Sequence, residues 1–146
     1  MEPSTTKIFN KILCPVDFDH SLDALDFAIK LARRDDAKLC VLNVAAIPIG
    51  AAELTSGLEQ PFWEVTAKSR LELIAQQKLV NASDYELTTR SGDAAAGILT
   101  AAVEEHIDLI VMATHGRSGI RHFFLGSVAE RVVREASCPV LTIRPD

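Results

Sequence analysis

Three observations on this 146-residue chain predict an α/β fold, an open parallel five-stranded sheet with helices on both faces. Short runs that are nearly all apolar recur from end to end. Segments with apolar residues at helical spacing separate them. Several runs stop at strand-breaking residues, as at Pro15-Val16-Asp17 and Ser91-Gly92-Asp93. Strands buried on both faces read as continuous apolar runs rather than alternating ones. Strict alternation of strand and helix implies right-handed crossovers and a parallel sheet.

The elements follow in order. The first strand runs from Ile8 to Val16, and Asp19, His20 or Ser21 offers a cap for a helix carrying Leu22, Leu25, Ala28, Ile29 and Ala32. Lys38 to Val44 is the second strand. From Pro48 to Pro61 the periodicity lapses into glycine, serine and two prolines, which reads as a long loop or cover. A helix from about Phe62 to Leu79 follows, with Val65, Leu71, Ile74 and Ala75 expected on one side. Tyr85 to Arg90 is the third strand. The alanine-rich Ala94 to His106 is a helix, Ile107 to Met112 the fourth strand, Ser127 to Ala136 the last helix and Pro139 to Ile143 the fifth strand. No repeat, low-complexity segment or linker interrupts this order, so residues 1–146 read as one domain with a disordered tail over 1–6.

Composition narrows the function. A formal net charge of −5 opposes general binding to nucleic acid or to anionic membranes, both of which call for a basic face. No apolar stretch approaches the roughly 20 residues that span a bilayer. The first residues lack the basic and apolar regions of a signal peptide, so the expected location is the cytoplasm. Cys14, Cys40 and Cys138 each sit in an apolar run, without the CxxC spacing of redox or zinc sites, and read as buried thiols.

The segment from Ala113-Thr114-His115-Gly116 to Gly126-Ser127 carries the most functional information. It lies between an apolar strand and a helix, and backbone N–H groups at a helix start have no partner within the helix. They attract anions. Gly126 leaves room for a ligand, and Ser127 can cap the helix or donate its hydroxyl to a phosphate. The segment is neither a Walker A loop nor a dinucleotide-binding GxGxxG. Asp17 and Asp19 suggest a receiver-type Mg²⁺ site, but the acidic residue and lysine that such a site needs at later strand ends are absent, and Asp19 is better read as a helix cap. His20, His115 and His122 show no metal-ligand spacing. Ser118 lacks the nucleophile-elbow pattern, so no catalytic residue is assigned. Arg117 and Arg121 read equally as phosphate contacts and as solvated surface charges.

Pro15-Val16-Asp17, Met112 to Gly119, Leu125 to Glu130 and Cys138 to Ile143 together resemble the universal stress protein family. The resemblance covers nearly the whole chain. It implies a Rossmann-like sheet ordered 3-2-1-4-5 and a site for ATP or another adenine nucleotide, with Mg²⁺. In nucleotide-binding members the pattern is glycine, two residues, glycine, nine residues, then glycine with serine or threonine. Here Gly116, Gly126 and Ser127 match, and Ala113 stands at the first glycine. Alanine is the smallest intrusion if that glycine is needed for space, and is unsuited if positive φ is required. The implied site comprises Pro15, Val16, Asp17, Val44, Met112, Ala113, His115, Gly116, Arg117, Gly119, Gly126, Ser127 and Val128. Asp17 and Val44 would hold base and ribose, Met112 and the Ala113 to Gly116 turn would line the ribose, and Gly126, Ser127 and Val128 would meet the phosphates.

The expected function is that of a nucleotide-binding stress-response sensor or regulator rather than an enzyme, with hydrolysis absent or very slow. The alternative is a dimeric interaction module of the same fold that binds no nucleotide, and a slow ATPase is a weaker third. A fifth strand that ends the chain should lie at a sheet edge, so a homodimer through Pro139 to Ile143 is expected. The resemblance points the same way.

Overall fold

The computed structural model describes residues 6–18, 22–47, 62–82, 84–114 and 125–144. The tail over 1–5, Asp19 to Ser21, the loop from Pro48 to Pro61 and the segment from His115 to Phe124 lie outside the described residues.

The elements run β1 (Lys11–Pro15), α1 (Asp23–Asp35), β2 (Lys38–Ala45), α2 (Phe62–Lys78), β3 (Tyr85–Ser91), α3 (Ala94–Glu104), β4 (Leu109–Ala113), α4 (Ser127–Glu135) and β5 (Val140–Ile143). All pairings are parallel, in the order β3-β2-β1-β4-β5. The fold class and strand order expected from the sequence are the ones observed.

Strand pleating divides the core in two. Ile12, Cys14, Leu39, Val41, Leu109 and Val111 face α1 and α2, meeting Leu25, Ile29, Leu71 and Leu79. Leu13, Cys40, Leu42, Ile110 and Met112 face the other way, meeting Ile98, Ala102, Ala129 and Val132 of α3 and α4. Successive strand residues point to opposite faces, so each apolar run feeds both cores. Burying one such side chain stabilises by about 1.5–3 kcal/mol relative to exposure.

Several boundaries differ from the sequence reading, and at β1 the reason is that side chains from elsewhere take the backbone groups. Ile8 and Phe9 do not extend β1, because their N–H groups donate to Asp35 Oδ2 at 2.9 and 2.7 Å. At Asn10 and Lys11 the N–H groups donate to the Asp108 carboxylate at 2.8 and 3.1 Å. Helix α3 stops at Glu104 and His106 takes a left-handed φ of 53°. Ile107 N–H then closes the helix end on Ala102 C=O at 2.9 Å, so β4 starts only at Leu109. Helix α1 begins at Asp23 behind Leu22, which makes no side-chain capping bond; Asp19, His20 and Ser21, the expected caps, lie outside the described residues. Val65 is 48% exposed, and the buried side of α2 is Ala67, Leu71 and Ala75, continued just beyond the helix by Leu79.

Candidate functional site

The chain winds outward in one direction through β1, β2 and β3, and in the other through β4 and β5. Winding therefore reverses between β1 and β4, which pair directly through Ile12 with Leu109 and Leu13 with Ile110. In open α/β sheets, ligands bind outside the carboxyl ends of the strands at such a reversal. Pro15, Val16 and Asp17 leave β1 there, and Met112 and Ala113 end β4 beside them.

The β1 exit is held by two bonds. Val16 N–H donates to Leu42 C=O at 2.8 Å, and the buried Asn43 amide donates to Val16 C=O at 2.9 Å. Both polar groups of Val16 are thereby satisfied, which fixes the backbone that presents Asp17. A buried polar group without a partner costs about 1–3 kcal/mol, so Asn43 and Val16 hold each other in place.

The β4 exit is held similarly. Thr114, itself buried, donates its N–H to Ile143 C=O at 2.9 Å and accepts from Gly126 N–H at 2.6 Å. That second bond joins the end of β4 to the start of α4. It sets Ser127 and Val128, the first two residues of α4, at the edge where the winding reverses. Their N–H groups have no partner within the helix, and the macrodipole adds partial positive charge.

Three details bear on the sequence reading. Ala113 is a strand residue paired with Ile143, and the positive-φ non-glycine residues among those described are Asp36 and His106. Alanine is therefore unstrained where the family pattern has glycine. Gly126 has φ −71° and ψ 166°, an extended conformation open to any residue, so only space would call for a glycine. Gly126 is also the N-cap, which makes Ser127 the first helical residue and not the cap.

Val44 lies near the end of β2, on the α3 side of the sheet. It is set there by Gly97 of α3, where an added Cβ would come within 2.8 Å of Val44 Cγ2. Asp93 caps α3 by accepting from Ala96 N–H at 2.8 Å, and it also pairs with Arg131 of α4 at 2.8 Å. Beside β3, Trp63 Nε1 donates to Ser91 Oγ at 3.1 Å and that hydroxyl donates to Glu64.

Of the expected site residues, Pro15, Val16, Asp17, Val44, Met112, Ala113, Gly126, Ser127 and Val128 all lie at the carboxyl ends of strands or at the start of α4. His115, Gly116, Arg117 and Gly119 lie outside the described residues. Sequence reasoning missed Asn43, Gly97 and, as the residue tying β4 to α4, Thr114. A signal existed for Asn43, a lone amide inside an apolar strand; Gly97 had none, since its neighbour Val44 is distant in sequence.

A model described as the universal stress protein family matches residues 9–144. A universal stress protein of Thermus aquaticus is 35% identical over 143 residues, covering 94% of this chain and 100% of that one. Another from Methanocaldococcus jannaschii is 31% identical over 141 residues, covering 94% and 83%. Among solved structures, the universal stress protein UspA from Lactobacillus plantarum superposes with a TM-score of 0.78 at 27% identity, covering 93% of this chain and 98% of that one. A universal stress protein from Archaeoglobus fulgidus, solved in complex with dAMP, superposes with a TM-score of 0.66 at 25% identity, covering 93% and 98%.

Proposed function

The chain belongs to the universal stress protein family, and from that premise we propose that it binds an adenine nucleotide, ATP foremost, and acts as a stress-response sensor or regulator. The observation that carries this reading is the bond from Gly126 N–H to Thr114 C=O, which brings a helix start to the reversal point of the sheet. The relative solved with dAMP supports the same ligand class. In this reading Asp17 and Val44 contact base and ribose, Met112 and Ala113 line the ribose, and Ser127 and Val128 give backbone N–H groups to the phosphates. His115, Gly116, Arg117 and Gly119 would complete the phosphate side, and Mg²⁺ would accompany the nucleotide.

Phosphoryl transfer needs a positioned water and cations that stabilise the transition state. No residue is assigned to position that water, so the protein is proposed to hold nucleotide with little or no turnover. The cytoplasm is the proposed location and residues 1–146 the proposed single domain. We also propose a homodimer through β5, an edge strand whose four residues are only half-buried. Val140→Pro, which removes a ladder donor, should shift the folded protein toward monomer in light scattering.

Acid release and mass spectrometry of the purified protein tests the ligand assignment. An adenine nucleotide in near-stoichiometric amount supports it. Ligand-free protein that takes up no adenine nucleotide when supplied would favour an interaction module.

A further inference from the structure

At the opposite edge from β5, strand β3 pairs only with β2 among the described residues. Leu39 N–H bonds to Asp84 C=O at 3.0 Å, and Gly92 N–H bonds to Ala45 C=O at 2.9 Å. Asp84 and Gly92 thus turn backbone groups inward to β2. Inward and outward groups alternate along a strand, so Tyr85, Leu87, Thr89 and Ser91 turn theirs outward. Edge strands of this kind are templates for another strand unless something discourages pairing.

We propose that β3 is a self-association edge, pairing antiparallel with β3 of a second copy about a two-fold axis at Thr88. In that register Tyr85 meets Ser91 of the second copy, and Leu87 meets its Thr89. All four outward residues then form the hydrogen-bonded pairs of an antiparallel ladder. Glu86 and Thr88 occupy the alternate positions, where side chains come closest. Glu86 falls opposite Arg90 of the second copy, and Thr88 opposite its own equivalent.

Charge complementarity favours this register over those centred on Glu86 or Arg90. Within one chain, Glu86 pairs with Lys38 at 2.8 Å and Arg90 with Glu104 at 2.5 Å. Pairing about Thr88 aligns Lys38, Glu86, then Arg90 and Glu104 of the second copy, a row of alternating sign. Centring on Glu86 or on Arg90 would instead set like charges directly opposite, which is destabilising. On the other face, Tyr85 is 41% exposed and lines an open groove with Glu72, Ala75, Gln76, Val80 and Leu87. The proposed register brings Thr89 and Ser91 of the second copy onto that face. This edge is separate from β5 and from the nucleotide site, so the proposal stands or falls independently of both.

Disulfide trapping reads the β3 edge apart from β5. The full chain with Cys138→Ser removes the partly exposed thiol and leaves Cys14 and Cys40, which are buried. In that background, Thr88→Cys should oxidise to a covalent dimer, because closely opposed antiparallel residues have Cα atoms about 4.5 Å apart, within disulfide reach. Tyr85→Cys is the control, since its equivalent would lie six residues along, roughly 20 Å away. Thr88→Cys should cross-link at least tenfold faster than Tyr85→Cys, and a mixture of Glu86→Cys and Arg90→Cys should give the mixed disulfide over either homodimer. Folded Thr88→Cys protein that cross-links no faster than the control overturns the proposal. Homodimers predominating in the mixture would overturn it too.

Discussion

Replacing Gly97 with alanine probes how α3 sets Val44, the residue proposed to meet the base. The new methyl would lie 2.8 Å from Val44 Cγ2, 3.0 Å from Cγ1 and 3.5 Å from Cβ. The first two distances are repulsive; the third is an ordinary contact. Alanine gains about 0.8–1.0 kcal/mol over glycine in a helix interior, while overpacking a core costs typically about 1–3 kcal/mol. Gly97→Ala should therefore destabilise by roughly 0–2 kcal/mol on balance. In a Val44→Ala background both offending carbons are gone, so the same substitution should stabilise by about 1 kcal/mol. Urea denaturation of the four proteins closes the double-mutant cycle, with an expected coupling of about 1–3 kcal/mol. Nucleotide affinity of Gly97→Ala should fall as well, because Val44 must rotate or shift. Equal effects of Gly97→Ala in both backgrounds would show that Val44 does not limit the space at Gly97.

Two further outcomes follow from buried groups. The Asp35 carboxyl is held below its ordinary value chiefly by the Phe9 N–H, against the opposing effect of burial and with help from the Ile8 N–H, Arg34 and Lys7. A depressed folded-state pKa contributes stability that is complete above the ordinary value of 3.8 and is lost as pH falls through the lower folded value. Thermal melts of Asp35→Asn should accordingly show lower stability than wild type at pH 7, with the gap closing below about pH 4; a constant gap across this range would contradict the assignment. Burial, aided by Asp26, pushes the Cys14 thiol up to about 12, so a thiol reagent at pH 8 should modify Cys14 only on unfolding and Cys138 first in the folded protein. Peptide mapping that finds Cys14 labelled first would show the β1 core to be open.

The sheet was legible because its strands are apolar on both faces and its helices separate them regularly. Leu39 to Leu42 feed two cores at once, as a strand buried on both faces does. Boundaries were less legible because distant side chains decide them. The carboxylates of Asp35 and Asp108 take the N–H groups of residues 8–11, across 26 to 98 positions of sequence. Periodicity carries no trace of such bonds. The site was half legible. Gly126, Ser127 and Ala113 stand out as a pattern, whereas the bonds that assemble them run through Thr114 and Asn43, and the fit of Val44 depends on Gly97. The backbone half of the question raised by Ala113 is answered by the strand geometry, since an extended backbone suits alanine; the room its methyl leaves for a ligand is a matter for binding measurements.

Titration calorimetry of ATP with Mg²⁺, on wild type and on Gly126→Val, reads the proposed nucleotide site itself. Gly126 already has an extended backbone, so valine is conformationally allowed and should cost only about 1 kcal/mol as a poorer N-cap. Its branched side chain would stand at the helix start where the phosphates are proposed to rest. Wild type should bind one equivalent, and folded Gly126→Val should lose at least tenfold in affinity. Equal affinity for both proteins, or no binding by the wild type, would contradict the account.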